Sequence, residues 1–374
     1  MDNQSLLYDC AIIGGGLAGL SLSIQLAQKG HQVILFEKNK YPFHKVCGEY
    51  ISSESWDFLN SLGLSLEKLS LPIIDTIHVS APNGYVIKSP LDLGGFGISR
   101  FSLDDLLCKK AKEVGVTVFD NTKVLYVKIH DEIFQITTNS NIFQSKLVCG
   151  SFGKINPPFI AQKKATEKGK YIGVKYHIKT DLPSNIIELH NFKDGYCGVS
   201  KVDNDTYCLC YLTTAKNLRL NQNDIKLMEQ NILYENPHLK KYFTESSFLF
   251  EKPIVISQIS FEKKQAFNHG IIMLGDAAGA IAPLCGNGMS IALRASKILA
   301  NHVHLFFKNK ISKDELIKNY TNEWDLNFSN RIKIAFYLQR LFGKRLTTLW
   351  SLKLLNYTPS LLKQIISLTH GKKF

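Results

Sequence analysis

No C-x-x-C pair occurs in this chain of 374 residues, although it holds eight cysteines. They stand apart at Cys10, Cys47, Cys108, Cys149, Cys197, Cys208, Cys210 and Cys285. That scatter argues against a disulfide framework or a zinc site, and for reduced thiols in a cytoplasm. A basic leader is missing too. The long uncharged stretch Cys10 to Gln28 follows Asp2 and Asp9 and contains Gly14, Gly15, Gly16 and Gly19, so it reads as neither a secretory signal nor a spanning helix. There is no internal repeat and no low-complexity run. Hydrophobic residues at 45% and charged residues at 21% exclude a disordered chain. The length exceeds one ordinary core and predicts two intertwined domains.

Acid is what the end of the sequence lacks. From Leu326 to Phe374 there are nine Lys and Arg and no Asp or Glu, so nine of the thirteen surplus positive charges lie in one segment. No nucleic-acid-binding motif accompanies them, and nucleic acid is not an expected partner. Ile332, Ala335, Phe336, Leu338, Leu341 and Phe342 recur at helical spacing, and Leu361, Leu362, Ile365 and Ile366 follow Pro359. Two readings stay open for 326–374: a basic amphipathic surface on an anionic membrane, or helices packed on their own domain with a charged outer face.

What is present begins with a strand at Asp9–Ile13, a helix over Leu17–Lys29 closed by Gly30, and a second strand at Gln32–Glu37. The crossover rule makes the strands parallel. Between them Gly14-Gly15-Gly16-Leu17-Ala18-Gly19 is G-x-G-x-x-G, with Glu37 about twenty residues on. Gly14 permits a tight turn, Gly16 close approach to a pyrophosphate, and Gly19 helix–strand packing. The helix start favours the anion, and Glu37 can accept both ribose hydroxyls. Ala18 and Lys38 join this cofactor-binding set.

Further on, Ser102-Leu103-Asp104-Asp105 reads as a capping box opening a helix to Glu113. Val116–Phe119 is a third parallel strand, and Lys123–Ile129, Ile133–Thr137 and Lys146–Cys149 form a meander. From Tyr171 to Phe261 an antiparallel sheet is expected, with strands at Ile172–Ile178, Ile186–His190, Gly198–Val202 and Tyr207–Leu212 and a helix near Asn223–Glu235. The strand Ile271–Leu274 then ends in Gly275-Asp276-Ala277-Ala278, followed by Pro283-Leu284-Cys285-Gly286-Asn287-Gly288-Met289 and a helix over Gly288–Ala300. A strand-end aspartate can bind a sugar hydroxyl, and a glycine-started helix can aim N–H groups at a developing anion. Reduced flavin needs such an arrangement.

Taken together, Gly14–Gly19 with Glu37 and Gly275-Asp276…Pro283…Gly286-Asn287-Gly288 resemble the FAD-dependent superfamily of aromatic hydroxylases and geranylgeranyl reductases, over about residues 7 to 310. Pro42-Phe43-His44-Lys45-Val46-Cys47-Gly48-Glu49 is similar to the P-x-x-K-x-C-G-E segment of the reductase branch. The resemblance implies an α/β fold. Its parts are a Rossmann-like, glutathione-reductase-like FAD-binding domain, an inserted antiparallel β-sheet substrate domain and a helical carboxyl-terminal tail. The domains are expected at 1–72, 101–165 and 262–310 for FAD, at 73–100 and 166–261 for substrate, and at 311–374 for the tail. FAD is the implied cofactor. Its implied contacts are Cys47, Gly48, Arg100, the backbone of Val124, Gly275, Asp276, Pro283, Gly286, Asn287, Gly288 and Met289.

The departures from the family pattern bear on the electron donor. The usual Gly-Ala-Asp-Gly reads Gly150-Ser151-Phe152-Gly153 here, which argues against fast direct use of NADPH. No second G-x-G-x-x-G exists for a nicotinamide domain, so NAD(P)H, another reductant and an electron-donor protein all stay open as the source of electrons. The halogenase pattern W-x-W-x-I-P is missing.

Cys47 is the candidate catalytic residue, a thiol that could protonate a carbon receiving hydride; its other reading is a small buried hydrophobe. Lys45 and Glu49 either position Cys47 or the flavin, or form a solvated pair. Tyr196 and Cys197, in Gly195-Tyr196-Cys197-Gly198 between two strands, are the candidate substrate contacts. Cys208 and Cys210 share a strand face, no metal site is expected, and His190 reads as a hydrogen-bonded core residue. Three activities remain: flavin hydride transfer to a carbon–carbon double bond of a hydrophobic, isoprenoid or lipid-like substrate; monooxygenation of a hydrophobic phenol or quinone precursor; and membrane-associated electron carriage. The expected location is cytoplasmic, with peripheral membrane contact through the tail left open beside the packed-helix reading.

Overall fold

The computed structural model describes residues 6–160, 171–259, 264–279, 286–341 and 343–374. Pro283, Cys285 and Phe342, and the side chains of Arg340 and Leu341, lie outside that description. The chain opens with β1 (Leu7–Ile13), α1 (Leu17–Gln28), β2 (Val33–Phe36), β3 (Tyr50–Ser52) and α2 (Trp56–Ser61). β4 (Ile73–Ser80), β5 (Val86–Gly97), α3 (Arg100–Glu113) and β6 (Thr117–Phe119) follow. Next come β7 (Val124–His130), β8 (Ile133–Thr138), β9 (Ile142–Gly150), β10 (Tyr171–Lys179), β11 (Ile186–Phe192), β12 (Gly195–Lys201) and β13 (Tyr207–Thr214). Three helices, α4 (Ala215–Leu220), α5 (Ile225–Ile232) and α6 (Pro237–Glu245), precede β14 (Ser247–Phe248), β15 (Ile254–Ile259), β16 (Phe267–Asn268) and β17 (Ile271–Met273). The last elements are α7 (Gly288–Phe307), α8 (Lys313–Leu341), α9 (Arg345–Tyr357) and α10 (Pro359–Thr369).

The first sheet runs β16-β17-β9-β1-β2-β6, with β8 added on β9 and β7 on β8. From β17 through β6 the strands are parallel. Cys10, Ala11, Ile12, Val33, Ile34 and Leu35 are buried, as strands covered on both faces must be. β9 therefore does two jobs: it ends the expected meander and is also the neighbour of β1 in the parallel sheet. On one face α1 packs against α7 and α3, and Ser21 and Ser296 share a 2.7 Å hydrogen bond where α1 meets α7.

The second sheet runs β14-β10-β13-β12-β11-β4-β5-β3, with β15 also on β10. It is antiparallel except for β4 beside β11. β3 thus belongs to this sheet, although Tyr50–Ser52 falls within the stretch expected to serve FAD alone. Ile172, Val174, Tyr176 and Ile178 alternate onto the face covered by α5 and α6, with Val199, Leu209, Met228 and Leu239. Each fully buried Leu, Val or Met contributes roughly 1.5–3 kcal/mol there.

The helix expected to open at Ser102 opens at Arg100 instead. Ser99 is its N-cap and accepts from the Ser102 amide, while the Ser102 hydroxyl donates to Asp203 in the β12–β13 turn. An extended serine one turn earlier wins the cap because Ser102 is already engaged. Along the tail the helices break at Gly343 and Pro359. The inner faces of α9 and α10 pack on β5 through Leu352, Leu355 and Leu362.

Candidate functional site

The glycine turn follows directly from β1. The Gly14 amide donates to the Phe36 carbonyl at 2.8 Å. Gly14 has φ +108°, and a Cβ there would stand 2.3 Å from the Ser151 carbonyl oxygen, so the turn admits no side chain. Gly16 is the N-cap of α1 and supplies no side-chain cap. A Cβ on it would face Arg100 Nη2 at 3.6 Å and Lys45 Nζ at 3.7 Å. Two cations therefore stand over an uncapped helix start, a cradle suited to a pyrophosphate. A Cβ at Gly19 would come 2.1 Å from the Gly14 carbonyl, so α1 lies directly on the turn. Glu37 is buried at the end of β2. It accepts from the Gly15 amide at 2.9 Å and from the Asn39 amide at 3.0 Å. Lys38 is exposed beside it, and Val124 is buried at the start of β7.

Arg100 grips Asp104 through two bonds of 2.8 Å, and Lys45 reaches the same carboxylate at 2.9 Å. Burial pushes Asp104 up, but Arg100 and Lys45 outweigh it and hold the carboxyl below the usual range. Lys45 therefore stands with Arg100 at the start of α1 and pairs with Asp104, and the solvated Lys45–Glu49 pair weighed above does not form. Asp203 accepts from the Ser99 amide at 2.5 Å and from the Ser99 hydroxyl at 3.0 Å, tying the second sheet to the start of α3.

The late motif meets this turn. Ile13, Gly150 and Met273 lie side by side at the carboxyl ends of β1, β9 and β17. A Cβ on Gly275 would sit 3.1 Å from the Cβ of Ala18 in α1. Asp276 is half-buried on the next turn, with Lys154 Nζ 3.7 Å away. Lys264 donates to the carbonyls of Lys154 at 2.7 Å and Asp276 at 3.2 Å, and burial lowers its pKa to about 8 against the pull of Asp276. Gly286 lies against the ring of Tyr50, and Asn287, Gly288 and Met289 open α7 without a side-chain cap. Two buried hydroxyls near these elements, on Tyr50 and Ser290, have no hydrogen-bond partner among the described residues. A carboxylate for a ribose, a cationic cradle, an uncapped second helix and orphaned hydroxyls are a donor set that fits FAD.

Cys47 lies where the halves join. Its sulfur is 3.6 Å from the Met289 sulfur at the start of α7, and its carbonyl accepts from the Cys208 thiol at 3.2 Å. Glu49, two residues on, is fully buried with φ +57°, a left-handed conformation costing about 1–3 kcal/mol in a non-glycine residue. Three donors hold it there: the Arg100 amide at 2.7 Å, Lys175 Nζ at 2.5 Å and His177 Nε2 at 2.7 Å. Burial favours the neutral acid, yet His177 and Lys175 overcome it and keep Glu49 below the usual carboxylate range. Burial likewise works against the Lys175 ammonium, and Glu49 reverses it, raising that pKa. His44 stacks on Phe101 at 4.6 Å and meets His177 edge-on at 5.2 Å. The ligating atoms of Glu49, His177 and Cys208 fall within 4.8 Å of one another, but Lys175 already occupies the carboxylate that a metal ion would need.

Lys175 and His177 escaped the sequence reading. Their signal was a lysine and a histidine two apart in an otherwise apolar strand, which places both on one sheet face. That face continues as an apolar wall of Tyr196, Leu212 and Ile259 with Leu189, Ile256 and Leu338. Gly195–Lys201 is itself β12, so Tyr196 sits within a strand rather than between two. Cys197 alternates onto the opposite face, into the core under the helices. Of the two candidate substrate residues, the structure leaves Tyr196 on the Cys47 side and removes Cys197 from it. Cys208 and Cys210 share the Cys47 side, and burial pushes the Cys210 thiol up to about 12. His190 bonds Ser80 and Glu188, each at 2.8 Å, within the sheet.

The chain matches the FAD binding domain family over residues 8–133 and the squalene epoxidase family over residues 199–341. It is 22% identical to conditioned medium factor receptor 1 of Dictyostelium discoideum, over 89% of this chain and 70% of that protein. It is also 22% identical to a digeranylgeranylglycerophospholipid reductase of Methanocaldococcus jannaschii, over 85% and 82% of the two chains. Among solved structures, the flavin-dependent brominase Bmp2 superposes with a TM-score of 0.80 at 18% identity, covering 97% of this chain and 93% of that one. The α/β fold expected from the motifs is the fold they share.

Proposed function

We propose that this chain, an FAD-dependent oxidoreductase of the superfamily that holds these lipid reductases and flavin monooxygenases, reduces a carbon–carbon double bond in a hydrophobic, isoprenoid-like substrate. The observation that carries the reading is the position of Cys47, at the start of α7 and beside the face of the second sheet that continues into the apolar wall. When bound and reduced, FAD supplies hydride. The chain supplies the rest. Tyr196, Leu212 and Leu189 bind the hydrocarbon and exclude water. Cys47 Sγ–H delivers a proton to the second carbon of the double bond, so hydride and proton together saturate it. Glu49, anchored by Lys175 and His177, fixes the turn that aims the thiol and acts as a positioning residue.

Anaerobic mixing of photoreduced enzyme with polyprenyl substrates tests this: flavin reoxidation coupled to a product two hydrogens heavier is expected. Cys47→Ala should slow that step roughly 10²-fold, with flavin content unchanged. Reoxidation at the same rate in both proteins removes Cys47 from the chemistry, and no reoxidation by any such alkene overturns the reduction. A second reading, oxygen transfer to the same class of substrate, draws on the squalene epoxidase match, which spans part of the apolar wall and α7. Product carrying an atom from labelled dioxygen, formed only aerobically, would favour it.

A further inference from the structure

Beyond the flavin chemistry, and independent of it, we infer that the outer face of α9 and the start of α10 is a docking surface for an anionic lipid bilayer. Leu346, Trp350, Leu354 and Tyr357 recur every three or four residues along α9, and they are 68%, 66%, 58% and 84% exposed. Leu361 continues the line just past the break at Pro359. The same helices have a complete inner face in Leu352, Leu355 and Leu362, packed against Ile87 and Ala81. The outer stripe is therefore surplus to the packing that holds α9 in place, and apolar surface left in water this way marks an interaction site.

Charge identifies the occupant. Lys344 and Arg345 are exposed where α9 begins, and Lys353 places its ammonium 5.2 Å over the Trp350 ring. Lys363 meets Asp92 at 3.6 Å, and both are largely exposed. The segment 326–374 contributes no acid of its own. An aromatic and aliphatic stripe flanked by cations suits the headgroup boundary of an anionic leaflet, where tryptophan and tyrosine settle at the interface and each nearby cation adds attraction. Among the described residues no helix is long and apolar enough to cross a membrane, so the contact lies along the surface.

Flotation of the full-length, FAD-loaded protein with vesicles tests the assignment. Binding is expected to vesicles of phosphatidylglycerol mixed with phosphatidylcholine, weakening as salt is raised, and to be much weaker with phosphatidylcholine alone. Lys344→Glu with Arg345→Glu should lower partitioning roughly tenfold or more. Leu354→Ser with Tyr357→Ser should do likewise, with the flavin spectrum and thermal midpoint unchanged. Lipids brominated in their acyl chains should quench tryptophan emission on binding, and Trp350→Phe should remove most of the quench, because Trp324 is buried and Trp56 is half-buried with its ring against Phe96. Equal partitioning of all variants overturns the proposal. So does a stripe that proves to join two copies of this chain, seen as a dimer that Leu354→Ser with Tyr357→Ser dissociates without any change in vesicle binding.

Discussion

Two buried glutamates sit on opposite faces of the same sheet and meet different fates. Glu49 is gripped by Lys175 and His177 and stays ionised, below the usual carboxylate range. Glu229, on α5, is hydrogen-bonded among the described residues by the hydroxyls of Tyr176 at 3.0 Å and Tyr211 at 2.7 Å, and burial pushes its pKa to about 7. Residues 175, 176 and 177 serve both sites in turn, because successive side chains of β10 point to opposite faces. Both carboxyls pay for burial; Glu229 feels Lys226 only at a distance, whereas Glu49 is bonded directly by Lys175 and His177. A charge held at that depth is costly unless paired, and here it anchors the left-handed turn that carries the thiol.

Removing the ammonium breaks this contrast most severely. Lys175→Met leaves Glu49 buried with its charge half-answered, and a loss of about 3–5 kcal/mol in urea unfolding is expected. Adding Glu49→Gln to Lys175→Met should recover part of that loss; no recovery would mean that the pair is not the cause. The second test uses pH. A folded carboxyl with a raised pKa keeps a proton that the unfolded chain has released, so Glu229 erodes stability as pH climbs from about 4.5 to about 7. Glu229→Gln should remove that slope and gain roughly 2–3 kcal/mol at pH 8, with little change at pH 4. Glu49 has the opposite sign: its contribution is present above the unfolded pKa and is lost as pH falls through its depressed folded value. A Glu49→Gln variant that still folds should therefore be less stable than wild type at neutral pH, with the gap closing as acid protonates Glu49. The smallest effect belongs to Tyr176→Phe, which deletes one of the two hydroxyls on Glu229 and should cost about 1 kcal/mol.

The sequence announced the site unevenly. The turn at Gly14–Gly19, the carboxylate at Glu37 and the Gly275-Asp276 strand end were legible because each is a local chemical device, written within about ten residues of a strand. Their convergence followed from the alternation of strands and helices, which places β17 two strands from β1. The Glu49 cluster was illegible for the opposite reason: its partners are 126 and 128 residues away, and only the register of the second sheet brings them in. The same distance effect misled at Lys45. Its neighbour in sequence, Glu49, looked like a partner, whereas Asp104, 59 residues on, takes the ammonium. Ser102 was read as a cap from its own four residues, and a contact from the β12–β13 turn claimed its hydroxyl instead.

That contact has a mechanical side. Asp203 joins the tip of the β12–β13 hairpin, whose strands carry Tyr196 and Leu212, to the first turn of α3, from which Arg100 reaches over Gly16. A bulky guest that splays the hairpin would tug on Ser99 and so on the guanidinium of the next residue, Arg100. Affinity for such a guest and affinity for the dinucleotide would then be tied together, each altering the other by the same factor.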